Sequence, residues 1–354
     1  MYSAQLLEAA GPKGVVIGWG ENLHGESTGV PWPGLFAVPL IITNAVLGTG
    51  VVTIANQELT NATGIAASQC WALALKSDGT VAGWGGNLKG TAVGYETPYP
   101  GVASGLVTIR GEVLSNVVSI AAGRLFGLAL KADGTVVIWG ENTIPFGLSN
   151  VVAISARGIF CLAVKNDGTV AEWTSNGRGD RHFPSDLTNI VAAAAGGTYW
   201  ERCLALTRDG NVVAWGNESD NHDMRPPADL SNVVSIAVGQ GHSLAVKRDG
   251  TVVGWGGNGA GQATGVPTKT MPWLSHGLVT LGGHTLSNVV AVAAGNDYNV
   301  ALLNNGTVTA WGNPESYYPV PSGLTNVVAI AAGERFCLAI STNATLLKIS
   351  GSSN

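Results

Sequence analysis

Residues 230–256 read LSNVVSIAVGQGHSLAVKRDGTVVGWG, and this stretch decides the fold. It begins with L-[ST]-N, continues with V-V-x-I-A-A-G and ends with L-A-L-K-x-D-G-T-V-x-x-W-G. This phrase occurs seven times, so the chain is a repeat array. The copies start at Leu59, Leu114, Leu148, Leu187, Leu230, Leu286 and Leu324. The tryptophans that close the phrases are Trp19, Trp84, Trp139, Trp173, Trp215, Trp255 and Trp311.

Each copy of the phrase predicts antiparallel strands. The V-V-x-I-A-A segments are continuous apolar runs with small residues, which is typical of strands packed on both faces. An Asp-Gly or Asn-Gly pair separates the next two apolar runs, and such pairs adopt the positive φ angles of tight hairpins. These pairs start at Asp78, Asp133, Asp167, Asp209, Asp249 and Asn305. The glycine that ends A-A-G would allow a second sharp reversal, so each copy contains at least three strands.

Three connections between copies are long, at residues 20–58, 86–113 and 257–285, and they resemble one another. Each contains a V-T-[IL] segment, for which we predict a fourth, outer strand. These segments are Val52 to Ile54, Val107 to Ile109 and Val279 to Leu281. The other four connections are shorter, so the outer strand there is expected to be short or missing.

The repeats predict an all-β fold, a seven-bladed β-propeller in which residues 1–354 form a single domain. Short sheets that cannot bury both faces alone become stable when they stack radially. Residues 14–20, GVVIGWG, form the second half of a phrase without a first half. We expect this strand to close the ring by completing the last blade beside Phe336 to Ile340. The tail at 341–354 is the alternative partner for that position.

The W-G-x-N-x-x-G and G-x-x-[HF]-x-L-A-L signatures resemble the repeat of the regulator of chromosome condensation family. Residues 239–246, GQGHSLAV, match best, and the resemblance covers about residues 14–340. It implies a seven-bladed propeller, often closed by strands from both termini. The eukaryotic founder is a nucleotide exchange factor that docks on chromatin. The compact repeats and acidic balance of this chain are more similar to bacterial members, including a secreted propeller that inhibits β-lactamases, which implies a protein-binding face.

The composition limits the choice of partners and compartments. The net charge is −5 and only 12% of the 354 residues are charged, which argues against a nucleic-acid partner. No apolar run is long enough for a membrane span. The first residues lack the pattern of a signal peptide. We expect a monomer, and we favour an extracellular or cell-surface location, with the chain as a mature form or fragment of a bacterial protein.

One variable tripeptide follows each A-A-G, on a predicted loop at one rim, and it ends in an aromatic or histidine ring. Two interpretations stay open for these rings, which are either an exposed protein-binding surface or wedges packed between blades. The positions before the rings, among them Asn296 and Glu334, are expected to be exposed. The candidate partner-binding residues are Gln69, Trp71, Arg124, Phe126, Phe160, Tyr199, Trp200, Gln240, His242, Asp297, Tyr298, Arg335 and Phe336.

Residues with catalytic or metal-binding chemistry do not fall into a recognisable pattern. Cys161, Cys203 and Cys337 share one repeat column in different blades, so they are expected to be buried and unpaired. No Cys-x-x-Cys or His-Glu-x-x-His spacing occurs. We therefore predict no catalytic residue, no cofactor, no metal and no enzymatic activity.

The sequence thus favours a non-enzymatic scaffold that presents one propeller rim to a protein partner. The alternative is a glycan- or cell-surface-binding module of a larger secreted bacterial protein. Exposed tryptophans stack on sugars, and Trp32, Trp200 and Trp273 lie on or near connections where they could do so. Trp32 and Trp273 could equally anchor their loops against the outer edges of the blades.

Overall fold

The computed structural model describes residues 13–30, 47–97, 101–174, 184, 187–197, 202–216, 225–269, 275–313 and 319–343. The first ten strands are β1 (Val15–Glu21), β2 (Leu47–Val51), β3 (Thr53–Ile54), β4 (Gln57–Glu58), β5 (Ala62–Ala67), β6 (Trp71–Lys76), β7 (Val81–Gly86), β8 (Val102–Leu106), β9 (Thr108–Ile109) and β10 (Glu112–Val113). The next nine are β11 (Val117–Ala122), β12 (Phe126–Lys131), β13 (Val136–Gly140), β14 (Val151–Arg157), β15 (Phe160–Lys165), β16 (Val170–Thr174), β17 (Ile190–Gly196), β18 (Arg202–Thr207) and β19 (Val212–Gly216). The last eleven are β20 (Val233–Val238), β21 (His242–Lys247), β22 (Val252–Gly256), β23 (Ser275–Leu278), β24 (Thr280–Leu281), β25 (His284–Thr285), β26 (Val289–Ala294), β27 (Tyr298–Leu303), β28 (Val308–Gly312), β29 (Val327–Ala332) and β30 (Phe336–Ser341). A 3-10 turn spans Leu88–Gly90.

The described strands form seven antiparallel sheets of three or four strands. From the inner strand outward, they are sheet 1 (β5-β6-β7-β8), sheet 2 (β11-β12-β13), sheet 3 (β14-β15-β16), sheet 4 (β17-β18-β19), sheet 5 (β20-β21-β22-β23), sheet 6 (β26-β27-β28) and sheet 7 (β29-β30-β1-β2). Each sheet packs against the next along the chain, and sheet 7 packs against sheet 1. The core lies between neighbouring sheets, where the seven tryptophans that close the phrases are all buried.

The same backbone hydrogen bonds join each sheet to the next at one end of the molecule. The asparagine of every L-[ST]-N start is in the left-handed region, with φ between 51° and 61°, which asparagine tolerates better than most residues. In sheet 2, the Asn116 carbonyl accepts the Ala132 N–H at 3.0 Å, and Val117 donates to the Gly79 carbonyl of sheet 1 at 3.0 Å. The L-[ST]-N motif is therefore a turn that joins neighbouring sheets.

The Asp-Gly and Asn-Gly pairs form the hairpins between second and third strands, as predicted. Their glycines have φ between 77° and 82°. The side chain of Asp78 fixes its turn by accepting hydrogen bonds from the Thr80 N–H at 3.0 Å and from the Thr80 hydroxyl at 2.6 Å. These bonds favour the ionised form and lower the pKa of Asp78 to about 2.

The glycine at the end of A-A-G has a different role from the predicted one. Gly123 and Gly295 do not have positive φ, so a sharp left-handed reversal is not the reason for them. A Cβ built on Gly123 would overlap the Phe126 ring, and one on Gly295 would overlap the Tyr298 ring. Glycine is needed here because the ring of the following strand packs directly over the backbone.

The predicted position of the outer strand is wrong by a few residues. The fourth strands are β2, β8 and β23, which lie just before the V-T-[IL] segments. In each segment the valine is buried, as Val107 is, and the next two residues form half of a two-residue ladder such as β9–β10. The residues before the valine pair with the third strand, as Gly105 does with Gly83 and Leu106 with Ala82. The buried valine then separates this strand from the short ladder that follows.

Three of the loops that follow the tryptophans have the same hydrogen-bond pattern, and each of them bonds to the adjacent sheet. In sheet 5, Asn258 Oδ1 accepts the Ala263 N–H at 2.9 Å, and the Gln262 carbonyl accepts Trp311 Nε1 of sheet 6 at 3.1 Å. In sheet 7, Glu26 replaces this glutamine, and its carbonyl accepts Trp84 Nε1 of sheet 1 at 2.9 Å. The Glu26 side chain is 1% exposed, and burial raises its pKa to about 7.

Sheet 7 combines strands from distant parts of the chain. The strand β1 pairs antiparallel with β30, with Val15 opposite Ser341 and Gly20 opposite Phe336. Gly14 and Ala62 exchange backbone hydrogen bonds of 3.0 and 3.1 Å. Gly14 thereby takes the place that a hairpin glycine has in the other sheets. Residues 344–354 lie outside the described residues, so the structure does not test the alternative pairing of the tail.

Candidate protein-binding rim

The predicted tripeptides lie on loops that connect each inner strand to the second strand of its sheet. We call these the rim loops, which in the described part are residues 68–70, 123–125, 158–159, 239–241, 295–297 and 333–335. All of them lie at the opposite end of the sheets from the Asp-Gly hairpins, because each second strand runs from a rim loop to a hairpin. The structure therefore brings the tripeptides together at one end of the molecule.

The rings at the ends of the tripeptides are buried, which decides between the two interpretations of this column. Each described ring is the first residue of a second strand and is between 0% and 5% exposed. The six are Trp71, Phe126, Phe160, His242, Tyr298 and Phe336. They pack as wedges between sheets and do not form an exposed aromatic surface. The reason is that each ring is the first residue of a second strand, and these strands lie in the core.

Polar atoms on the buried rings bond to neighbouring sheets. The Tyr298 hydroxyl lies 2.7 Å from the Phe336 carbonyl of sheet 7. His242 Nε2 lies 2.6 Å from Asn299 Oδ1 of sheet 6. Burial lowers the pKa of His242 to about 4, against the opposing effect of the Asn299 hydrogen bond, so the ring is neutral at physiological pH. These side chains join neighbouring sheets at the rim.

The fourth copy departs from the predicted alignment. Arg202, not an aromatic residue, is the first residue of β18 and lies opposite Gly216, as His242 lies opposite Gly256 in sheet 5. The expectation that all seven copies carry a ring at this position is therefore wrong, because the insertion shifts the register. Tyr199 and Trp200 lie outside the described residues, as do Trp32 and Trp273, so their predicted roles remain predictions.

The solvent-facing part of the rim is polar and carries both signs of charge. Gln240 and Arg335 are exposed, while Gln69, Arg124 and Glu334 are partly exposed. Asn296 and Asp297 are also only partly exposed. Of these rim positions, Gln240 and Arg335 are therefore the two that are exposed as expected.

Charges near Arg335 influence one another. Burial raises the pKa of Asp297 and of Glu21, and in each case the positive charge of Arg335 opposes that shift. The rim thus presents amide and charged groups above a closely packed layer of rings.

Hydrogen bonds between rim loops fix their positions. Glu334 N–H donates to the Ser68 carbonyl at 3.1 Å, and the Ser68 hydroxyl donates to the Gly123 carbonyl at 2.6 Å. Arg124 N–H then donates to the Gly158 carbonyl at 2.7 Å. Sheets 7, 1, 2 and 3 are thereby linked in order, so their loops form a rigid platform that is suited to recognition without rearrangement.

Arg157 is a rim residue that the sequence reasoning missed. It occupies the place of the A-A-G glycine in the third copy, and its side chain extends from sheet 3 to sheet 6, which is not a neighbour. Its Nη1 donates to the Ala294 carbonyl at 2.7 Å and its Nη2 to Asn296 Oδ1 at 3.3 Å. The available signal was the departure from the repeat, since a charged residue replaces glycine next to the centre of the propeller.

The four cysteines lie in the described part of the chain and form no disulfide. Cys161, Cys203 and Cys337 are buried as predicted. Burial raises the pKa of the Cys70 thiol to about 12, so this thiol is not activated. Among the residues that the structure describes, no three His, Cys, Asp or Glu side chains are grouped as metal ligands. The same part of the chain contains no helix with the length and apolarity to cross a bilayer.

Comparison with known proteins supports the fold. Residues 117–143, 233–262 and 289–317 match the regulator of chromosome condensation (RCC1) repeat. The crystal structure of Prp20p from Saccharomyces cerevisiae, described with its binding to Gsp1p and histones, aligns over 97% of this chain and 94% of its own, with a TM-score of 0.68 and 19% identity. Yeast RCC1 (Prp20) with Kap60 bound aligns over 96% and 92%, with a TM-score of 0.69 and 18% identity. Human WBSCR16 aligns over 93% and 100%, with a TM-score of 0.63 and 16% identity.

No curated protein sequence matches this chain closely enough to count as a relative. The repeated sheets, the buried tryptophans and the rim loops define the chain as a β-propeller. More specifically, three of its repeats match the RCC1 repeat, and its fold is similar to that of the yeast RCC1 propeller.

Proposed function

We propose that the chain is a closed, seven-bladed propeller that acts as a non-enzymatic scaffold and presents its rim loops to a protein partner. The observation that supports this proposal is that the rim loops vary in sequence on a hydrogen-bonded platform, whereas each described hairpin at the other end keeps an Asp-Gly or Asn-Gly pair. Variable residues on rigid loops are how a scaffold fold acquires specificity. The pairing of β1 with β30, and the packing of sheet 7 against sheet 1, support closure.

The structural neighbours support a protein as the partner class. Yeast Prp20p is described with binding to Gsp1p, histones and Kap60, all of which are proteins. The glycan alternative depends on Trp32, Trp200 and Trp273, which lie outside the described residues, and it remains the second candidate. Monomeric state and extracellular location also remain predictions.

The rim assignment is tested by matched substitutions at the two ends of the propeller. The rim variant replaces Gln69, Gln240 and Arg335 with alanine, and these three side chains are at least partly exposed. The control variant replaces three exposed hairpin residues at the opposite end, Arg208, Arg248 and Asn304. Because all six side chains are exposed or partly exposed and none is a buried ring, both variants are expected to fold, which circular dichroism and the unfolding midpoint check.

Immobilised native protein and both variants are then used to capture partners from the source organism. A partner that binds the native protein and the control variant, and is lost by the rim variant, supports the proposal. A partner lost only by the control variant would place the interface at the hairpins. If an array of glycans captures the protein and no protein partner does, the second candidate replaces the first.

A further inference from the structure

The outer edge of sheet 5 borders an open cavity of about 460 Å³. Its walls are the strand β23 and the loop residues 264–268, and none of the described residues that line it belongs to a rim loop. The loop is held at both ends of the cavity. At one end, Thr280 N–H donates to the Thr264 carbonyl at 2.9 Å. At the other end, the Ser275 hydroxyl donates to Thr268 Oγ1 at 3.0 Å, and the space between the two bonds is open to solvent.

The floor of the cavity is backbone, because Gly277 has no side chain. Gly277 lies opposite Gly254 in the ladder of β22 and β23, so the two residues share one face of the sheet. The loop lies over that face, since a Cβ built on Gly254 would overlap the Ala263 carbonyl. A Cβ built on Gly277 would meet no atom within 4 Å. The space above β23 can therefore receive a side chain supplied from outside.

Two residues of β23 turn their backbone groups toward the open edge of the sheet. In an antiparallel ladder, hydrogen-bonded pairs alternate with pairs whose N–H and C=O groups point outward. Val279 N–H donates to the Val252 carbonyl at 2.8 Å, so this alternation leaves His276 and Leu278 facing outward. The Thr280 hydroxyl donates to the Leu278 carbonyl at 3.5 Å, and no other described residue bonds to these groups from the open side. The edge therefore offers N–H donors and C=O acceptors at the spacing of an added strand.

The chemistry around the cavity selects an uncharged occupant. Thr264, Thr268 and Ser275 contribute hydroxyl groups, while the aliphatic side chains of Val266 and Leu278 are 56% and 47% exposed. None of the described residues that line the cavity is an acid, a lysine or an arginine. A charged side chain entering it would lose water without gaining an ion partner. The cavity is therefore suited to an uncharged side chain of moderate size.

We propose that the outer edge of sheet 5 binds an uncharged, extended peptide segment of a partner protein by strand addition. The added strand pairs with the outward groups of His276 and Leu278, and one of its alternate side chains enters the cavity above Gly277. A second copy of this chain does not fit this role. Antiparallel pairing of two β23 strands would turn a second Ser275 and Gly277 toward the cavity and leave it unfilled. This surface is separate from the rim, so the proposal does not depend on the proposed function.

A random-sequence peptide array is the probe, and the full chain is the binding protein. We expect the native protein to select peptides whose alternate residues are uncharged. His276→Pro removes one outward N–H without removing a bond to β22, so it should weaken binding of the selected peptides at least about fivefold. Thr49→Pro is the matched control and should bind them as the native protein does. Thr49 lies opposite Trp19 in sheet 7 as His276 lies opposite Trp255 in sheet 5.

A charge placed at the cavity gives a second readout. Val266→Glu should shift the selection to peptides with a lysine or arginine at one position, whereas Val30→Glu should not. Val30 is the matched position in sheet 7, since Asn22 Nδ2 donates to its carbonyl as Asn258 Nδ2 donates to that of Val266. Both valines are more than half exposed, at 52% and 56%, so both variants are expected to fold.

Hydrogen exchange locates the contact. At a peptide concentration of ten times Kd, exchange of the Leu278 amide should slow about elevenfold. The proposal is overturned if no peptide distinguishes the native protein from His276→Pro, if Val266→Glu leaves the selection unchanged, or if the Leu278 amide is not protected. Loss of the peptides in Thr49→Pro or in the rim variant would also overturn it, because the site would then lie on sheet 7 or on the rim. Self-association that His276→Pro abolishes would replace the peptide with a second copy. Failure to find a rim partner would refute only the proposed function.

Discussion

Replacing Glu26 with glutamine should stabilise the protein in a strongly pH-dependent way. Glu26 lies in the loop that clamps sheet 7 to sheet 1, is 1% exposed and has a pKa of about 7 because burial disfavours its charged form. The folded state therefore binds more protons than the unfolded state between about pH 4.5 and pH 7. Stability contributed by the protonated carboxyl is fully present below pH 4.5 and is lost as the pH rises to 7.

The size of the effect follows from the shift. A rise from the ordinary value of 4.5 to about 7 corresponds to about 3 kcal/mol of unfolding free energy. Glutamine preserves the local contact, because in sheet 5 the Gln262 Oε1 accepts the Ala260 N–H at 2.9 Å just as Glu26 Oε2 accepts the His24 N–H at 2.7 Å. The Glu26→Gln variant should thus match the native protein near pH 4.5 and exceed its stability by about 3 kcal/mol at pH 8.

Urea unfolding at several pH values between 4.5 and 8 measures this difference. The matched control is Gln262→Glu, which places a carboxyl at the equivalent position of sheet 5 and should lose stability as the pH rises. A difference between native protein and Glu26→Gln that stays constant across this range would refute the reasoning, because it would show that Glu26 titrates normally in the folded state.

Three further predictions concern stability and are checked by urea unfolding at pH 7. Gly123→Ala should cost about 1–3 kcal/mol, because the new Cβ overlaps the Phe126 ring; an unchanged midpoint would contradict this packing. Tyr298→Phe should cost about 1 kcal/mol by removing the hydrogen bond to the Phe336 carbonyl, and a neutral result would mean that this bond adds nothing. Asn116→Ala should cost about 1 kcal/mol and Asn116→Gly almost nothing, since φ is 59°; equal losses would point instead to the side chain.

The repeated phrase predicted most of the architecture because local chemistry determines it. Strands built from continuous apolar runs and hairpins built from Asp-Gly pairs depend on a few adjacent residues, and the structure has them where the phrase has them. The outer strand was misplaced because the V-T-I pattern does not reveal that the residues just before it pair with the third strand, while its valine packs in the core. The fourth copy was misaligned because an insertion hides which residue begins β18, and Arg202 is that residue.

Whether the rim rings are exposed or buried depends on tertiary packing, which a repeated sequence pattern does not reveal. A repeated ring on a loop is consistent with both a surface and a wedge, and only the buried position of side chains such as Tyr298 decides between them. The pairing of Arg157 with sheet 6 joins parts of the chain that no local pattern connects. In a repeat protein, residues that break the consensus at interior positions are the most informative ones, and Arg157, Arg202 and Glu26 all do so.

The composite construction of sheet 7 has a consequence for folding kinetics. Sheets 1 to 6 each consist of strands that follow one another in the chain, so they form through local contacts. Sheet 7 requires β1 to meet β30 after the rest of the array has brought them together. Loop-closure entropy grows slowly with length, at about 0.6 kcal/mol per doubling, but contacts of high sequence separation form late. We expect refolding to end in a slow phase in which β1 pairs with β30. We expect unfolding to begin with the separation of the same two strands.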